Sequence, residues 1–359
     1  MRIAQVAPLF ESVPPTLYGG TERVVFWLTE ELVKLGHDVT LFASGDSVTS
    51  AHLVPACRQA LWHDATCRET LPHHIRMLEL VYRDLDAFDV IHFHCDYVQF
   101  PLVRRHRVPG ITTMHGAIHV PDLQQLLIEY PDVPLVSISD SQRNPLPRAA
   151  WAGTVYHGLP IKEHTLHTDK NGYLAFLGRI SPEKGLDLAI EIAGISGHKL
   201  KVAAKVYPED VPYFEHTIQP LLHKSRHFVE FVGEVGGDAK NDFLGGAKAL
   251  LFPIQWSEPF GLVMIEAMAM GTPVIAWDRG SVPEIVKDGH TGFIISTIQE
   301  GVDAVHALPK IDRQTCRMEF ERRFTSERMA NDYLRIYSQT IEQFQRERED
   351  GKHVRTSGT

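Results

Sequence analysis

The sequence predicts an α/β chain built from two doubly wound parallel sheets. Three observations carry that expectation. Short apolar runs of strand length alternate with helical patterns from the first residues to beyond residue 290. A polar stretch with no apolar period, residues 161–172, cuts the alternation in two. The chain has 359 residues, which exceeds one ordinary core and fits two domains.

In the first half, residues 3–7 form an apolar run that stops at Pro8 and reads as a buried strand, followed by a loop through Tyr18-Gly19-Gly20. From Thr21 the period lengthens: Val24, Val25, Leu28, Leu32 and Leu35 share a helical face, and Gly36 sits where a C-terminal cap belongs. Strands are then expected at 38–43, 90–94, 111–115, 135–139 and 154–157. Past the polar stretch they recur at 173–178, 200–204, 229–232, 249–253, 274–277 and 293–295, with helical patterns between them. Met329, Tyr333, Ile336, Tyr337 and Ile341 mark one face of a final helix. The expected organisation is a first domain over 1–160, a linker at 161–172, a second domain over 173–327, a helix at 328–346 that packs back towards the first domain, and a frayed tail at 347–359. Two such sheets should face each other across a cleft, with ligands bound there.

Composition narrows the function. A formal charge of −9 argues against a nucleic-acid binder, which needs a basic surface to displace phosphate counterions. Cys57, Cys67, Cys95 and Cys316 form no CxxC pair, so a reducing, cytoplasmic setting fits. No run approaches the roughly 18 apolar residues of a membrane span, so membrane contact is expected to be peripheral at most. The basic run Arg104-Arg105-His106-Arg107 could touch an anionic surface, but a solvated helix end is the simpler reading. His92, His94 and Cys95 could begin a metal site. No further ligand pair accompanies them, and strand-end histidines bonded to neighbours are the expectation.

Two strand-to-helix loops carry chemistry. The first is Glu258-Pro259-Phe260-Gly261-Leu262-Val263-Met264-Ile265-Glu266, after the strand at 249–253. Pro259 suits a first helical turn, Gly261 allows close backbone approach, and the exposed N–H groups suit a diphosphate. Eight positions separate the two acids, so they should reach different parts of one ligand. Alone, Glu258 could merely stabilise a helix end and Glu266 could be a paired helix residue. Yet Glu266 lies among apolar neighbours, where a carboxylate needs a partner, and ribose hydroxyls could serve. The second loop, Gly178-Arg179-Ile180-Ser181-Pro182-Glu183-Lys184-Gly185, supplies two cations that can hold a departing diphosphate in place of a metal ion.

Together with Tyr18-Gly19-Gly20-Thr21-Glu22-Arg23, Leu35-Gly36-His37-Asp38-Val39-Thr40, Thr113-Met114-His115-Gly116 and Gly280-Ser281-Val282-Pro283-Glu284-Ile285-Val286, these loops make the chain resemble the family 4 retaining glycosyltransferases of GT-B fold, over nearly its whole length. The resemblance implies two Rossmann-like domains, the first on the acceptor side and the second holding a nucleoside diphosphate sugar. It implies that Arg179 and Lys184 bind the diphosphate and that Glu266 binds the ribose. Glu258 would contact the transferring sugar, and the backbone at Phe260, Gly261, Leu262 and Val263 would hold sugar and phosphate. Gly19 and Gly20 match the glycine loop near the donor, and His115 the histidine beside the reacting sugar; by themselves these residues could be a turn and a strand-end hydrogen bond. The implied activity is hexosyl transfer to an acceptor hydroxyl, with retention and without cofactor or divalent metal.

Rival functions remain at this stage. An NAD-dependent oxidoreductase would use a similar sheet, but the long loop at residues 9–20 holds no GxGxxG. A nucleotide-sugar epimerase, a glycan phosphorylase or a non-catalytic sugar-nucleotide binder would share the fold. The donor sugar, its base and the acceptor (glycan, lipid or small molecule) are left open by these motifs.

Overall fold

Among the described residues of a computed structural model of the chain, thirteen strands fall into two all-parallel sheets. The structure describes residues 1–17, 19–106, 108–168 and 172–356, with side chains to residue 349. Tyr18 of the glycine loop, Arg107 of the basic run, residues 169–171 of the expected linker and residues 357–359 of the tail lie outside the described residues.

The first sheet contains β1 (Arg2–Val6), β2 (Asp38–Ser44), β3 (His52–Cys57), β4 (Val90–Phe93), β5 (Gly110–Thr113), β6 (Leu135–Ser137) and β7 (Trp151–Thr154), in the spatial order β3-β2-β1-β4-β5-β6-β7. The second contains β8 (Tyr173–Arg179), β9 (Lys199–Lys205), β10 (Val229–Gly233), β11 (Ala249–Phe252), β12 (Val274–Trp277) and β13 (Gly292–Ile295), in the order β10-β9-β8-β11-β12-β13. Helices cover both faces of a sheet of this kind, which is why β4, β5, β11 and β12 are buried at every residue, and β11 and β12 read as continuous apolar runs. Each order reverses direction once, between β1 and β4 and between β8 and β11.

Two strands depart from expectation. β3 escaped the sequence reading because Pro55 interrupts it; it pairs only with β2 at the sheet edge, where a missing N–H donor is tolerated. The last strand of the first sheet lies at Trp151–Thr154 rather than 154–157, leaving His157 beyond it. Its Ala-Gly centre gives little apolar signal, and Gly153 lies against the final helix, where a Cβ would stand 2.9 Å from Ile336 Cδ1, the movable end of that side chain.

Packing divides the chain into two units. One comprises residues 1–138, 143–157 and 326–359; the other comprises residues 139–142 and 158–325. The final helix, Ser326–Thr356, thus belongs with the first sheet and packs on β4, β5, β7 and the helix Gly20–Lys34. It is longer than the apolar stripe suggested. Its later turns are held by pairs four residues apart, Gln343 with Glu347 and Arg346 with Glu342, which need no buried face. Tyr333 and Tyr337 are fully buried, and their hydroxyls are satisfied inside the first unit. Among the described residues no helix is long and apolar enough to cross a membrane.

Candidate active site

The second unit gathers most of the expected site residues where its strand order reverses. In open parallel sheets, loops leaving the carboxyl ends of the two strands flanking such a point diverge and leave a crevice for ligand. Here β8 delivers Arg179 and Lys184, and β11 delivers Glu258 and the glycine turn after it. The two loops are tied directly, Gln255 N–H donating to Glu183 O at 2.7 Å. Gly185 makes that approach possible: it sits at φ +70°, and a Cβ would stand 2.2 Å from Pro253 O.

Lys184 Nζ meets Glu258 Oε2 at 2.6 Å, and Trp256 Nε1 donates to the same oxygen at 3.0 Å. The ammonium also lies 5.2 Å from the Trp256 ring centroid. Both charged side chains are largely withdrawn from water, at 19% and 12% exposure, so the pair is screened weakly. Behind it, Ser281 N–H donates to Glu258 O at 3.0 Å and Ser281 Oγ to Phe260 O at 2.8 Å. Gly280 has φ +55°, and a Cβ would stand 2.4 Å from Glu258 N and O. The Gly280-Ser281 motif therefore fixes the backbone that carries Glu258. Gly280→Ala is expected to cost roughly 2–4 kcal/mol of stability, through overpacking and a strained φ. Urea unfolding of the variant checks this.

Gly261, at φ +78°, caps the helix Leu262–Ala269. Pro259 therefore precedes the helix rather than occupying its first turn, which corrects the sequence reading. Phe260 is buried, and Leu262 and Val263 open the helix, where backbone N–H groups have no preceding turn to bond to. Glu266 is 6% exposed. Its carboxylate meets Lys240 Nζ at 2.6 Å, from the helix Gly237–Gly245, so a protein cation supplies the partner its burial demands.

Arg179 is not an unpaired cation. Its Nη2 bonds Asp210 Oδ1 at 3.0 Å, its Nε bonds Asp210 Oδ2, and Glu209 lies 3.3 Å from Nη2. The Asp210 hydrogen bonds raise its already high pKa. Each of the loop's two cations is matched by its own carboxylate, Arg179 by Asp210 and Lys184 by Glu258. Asp210 and Lys240 escaped the sequence reading because they lie on separate segments with no motif of their own, and Trp256 because it sits in the loop of Glu258 but just ahead of its motif.

In the first unit, Gly19 and Gly20 close the loop after β1 and start the helix Gly20–Lys34. Gly19 is buried against Pro15, where a Cβ would come within 2.7 Å of that ring. Glu22, in the first helical turn, is buried, and burial raises its pKa to about 7. His115 follows β5, the neighbour of β4. Its Nε2 is 2.9 Å from His94 Nδ1, and its ring stacks on His157 at 5.4 Å. Removal from water lowers its pKa to about 3, so it is a neutral imidazole at ordinary pH.

The neighbouring hydrogen bonds assign its tautomer. Gln5 Nε2 donates to Tyr337 OH and Gln5 Oε1 accepts from His94 Nε2 at 2.8 Å, so His94 Nδ1 accepts and His115 Nε2 donates. His92 bonds Tyr337 OH and Thr113 Oγ1 through its two nitrogens, and Cys95 Sγ donates to Gln99 Oε1. These residues, weighed above as possible metal ligands, thus have neighbours as partners, and no group of three metal-ligating side chains occurs among the described residues. Tyr333 and Tyr337 read from sequence only as an apolar stripe; their hydroxyls in fact join this network. Arg104, of the basic run, pairs with Asp132 at 2.6 Å and lies over the Tyr130 ring.

The chain is similar to known proteins in sequence and in fold. The sequence pattern described as Glycosyltransferase Family 4 matches residues 18–154, and that of Glycosyl transferases group 1 matches residues 160–308. An uncharacterised glycosyltransferase of Methanocaldococcus jannaschii is 24% identical over 85% of this chain and 89% of its own length. The D-inositol 3-phosphate glycosyltransferase of Mycobacterium tuberculosis is 29% identical over 56% of this chain, which spans 38% of that protein. Among solved structures, sucrose-phosphate synthase from Thermosynechococcus elongatus superposes with a TM-score of 0.80 at 18% identity, covering 95% of this chain and 99% of that one. Anabaena HepE, crystallised with UDP and glucose, gives 0.73 at 16% identity, covering 94% and 99%. These two likenesses concern the fold.

Proposed function

Because the chain belongs to the group 1, family 4 glycosyltransferases, we propose that it moves a hexosyl group from a nucleoside diphosphate sugar to an acceptor hydroxyl, retaining the anomeric configuration and using no divalent metal. The observation that carries this reading is the convergence of Lys184, Glu258 and the glycine-capped helix Leu262–Ala269 on the point where the second sheet reverses its strand order. A helix amino end and a cation beside one crevice form the chemistry a diphosphate needs. That Anabaena HepE binds UDP with the same fold supports a uridine-type donor as the first to try.

Each site residue takes a role in this proposal. Arg179 and Lys184 bind the diphosphate and offset the charge that develops as the glycosidic C–O bond breaks. Each must first loosen its carboxylate, so donor binding is an exchange of anions at both cations. Glu258, released in part by Lys184, turns to hydroxyls of the transferring sugar, and Glu266 accepts from the ribose. The backbone at Phe260, Gly261, Leu262 and Val263 donates to sugar and phosphate. Gly19 and Gly20 give the donor room, and neutral His115 offers the sugar a hydrogen bond rather than a charge. The leaving phosphate takes the acceptor proton as the new C–O bond forms on the face it vacates. The free thiols support a reducing, cytoplasmic setting.

A screen of UDP-, GDP- and ADP-sugars, following nucleoside diphosphate release with and without acceptors, tests the reading. Release should depend on one donor and on an acceptor. Excess chelator should leave the rate within about twofold, since fixed cations do the work of a metal ion. A requirement for inorganic phosphate, or sugar interconversion with no acceptor product, would sink it in favour of a phosphorylase or an epimerase.

A further inference from the structure

The second unit holds a cavity of about 390 Å³ at the opposite edge of its sheet. His198, Lys248 and Pro273 line it, and each immediately precedes a strand, β9, β11 and β12. The residues proposed for the donor follow strands, so the two places lie at opposite ends of the same β-structure. Val305, Leu308 and Ile311 make its far wall apolar.

The charged side chains that line the cavity, Lys248 and Arg313, are both cations; His198 and His306 stand beside them, and no carboxylate lines it among the described residues. Arg313 is 6% exposed. Its guanidinium donates to His167 O at 2.7 Å, Ala247 O at 2.8 Å, Gly245 O at 2.6 Å and Thr272 Oγ1 at 2.7 Å, all neutral acceptors. The titratable groups that favour its charge are Cys316 and Tyr173, and burial raises both pKa values, the thiol's to about 12, so neither is an anion at neutral pH. Adjacent Asp312 is committed to the start of the helix Arg313–Arg323, accepting from Gln314 N–H and Thr315 Oγ1. Lys248 forms no ion pair among the described residues. His198 stands near His306, and burial lowers its pKa against a hydrogen bond to the Ser196 carbonyl, with Lys248 lowering it further, so it favours the neutral ring.

A buried cation with satisfied hydrogen bonds but, among the described residues, no countercharge is costly, and low-dielectric walls concentrate its field in the adjoining space. We propose that this cavity is a binding site for a small organic anion, with a single carboxylate or phosphate head against Lys248 and Arg313 and an apolar body against Val305, Leu308 and Ile311. The volume falls in the range of small-molecule sites. The site is separate from that of the donor, and the inference does not depend on the transfer reaction.

Hexanoate, hexyl phosphate and hexanol, titrated into the full chain by calorimetry, test it. At least one of the two anions should bind, and which one binds identifies the head group. Hexanol should bind at least about tenfold more weakly, because it lacks the charge. Lys248→Glu supplies the missing countercharge and should weaken anion binding at least about tenfold; Lys248→Met should weaken it less. Thermal unfolding checks that both variants fold, and saturating UDP should leave anion affinity unchanged. Binding of neither anion, equal binding of hexanol, undiminished binding in folded Lys248→Glu, or competition by UDP would each overturn the proposal.

Discussion

Glu258→Ala and Lys184→Ala are each expected to lower kcat/KM by about 10²–10³-fold, the usual effect of removing one fixed electrostatic group from a transfer site. The two losses should not add. Lys184 and Glu258 share a contact of 2.6 Å, so removing either changes the environment of the other. The double variant should therefore fall little below the worse single one. Both side chains retain some exposure and sit in loops rather than the core, so unfolding transitions should stay near the parent's. Nucleoside diphosphate release, measured beside thermal unfolding, separates the two effects. Near-normal rates in both folded variants would leave the proposed site without support.

Acid should unfold the first unit over a narrow pH range. His92, His94 and His157 have pKa values well below the ordinary histidine value, and His115 is lowered to about 3, with burial the largest cause in every case. These rings stay neutral while folded but take up protons once unfolded, at about pH 6.5. Their stabilising effect is therefore complete above pH 6.5 and declines as pH falls, by about 1.4 kcal/mol per pH unit for each ring. Glu22 works the other way: its folded pKa of about 7 means that the folded state holds a proton the unfolded chain gives up between roughly pH 7 and 4.5. The balance predicts stability falling by roughly 4 kcal/mol per pH unit below pH 6, with net proton uptake on unfolding. Urea unfolding at a series of pH values measures that slope. A flat profile between pH 6.5 and 4.5 would show that the rings are solvated.

Sequence pattern revealed most strands because parallel sheets bury both faces, and continuous runs such as Ala249–Phe252 and Val274–Trp277 have no polar interruption. It failed at β3 and β7, where a proline and an Ala-Gly pair dilute that signal. The site was legible where one loop holds several of its parts, as from Glu258 to Glu266. It was not legible where a partner comes from another segment: nothing near Arg179 in sequence announces Asp210, and nothing near Glu266 announces Lys240. Pairing of this kind is a property of loop placement, which periodicity does not encode. Bonded strand-end histidines were expected at His92 and His94, but the part of Tyr333 and Tyr337 in their network was not legible, since tyrosines at helical spacing look the same whether their hydroxyls face a void or a hydrogen-bond partner.

The first sheet draws its closing helix from residues translated some two hundred positions after its own β6 strand. Growth of the nascent polypeptide therefore brings the second unit to completion while the first still waits. Until Tyr333 and Tyr337 emerge, Gln5 Nε2 and His92 Nδ1 have only water in place of a tyrosine hydroxyl, so the earliest-made sheet is the last to dry.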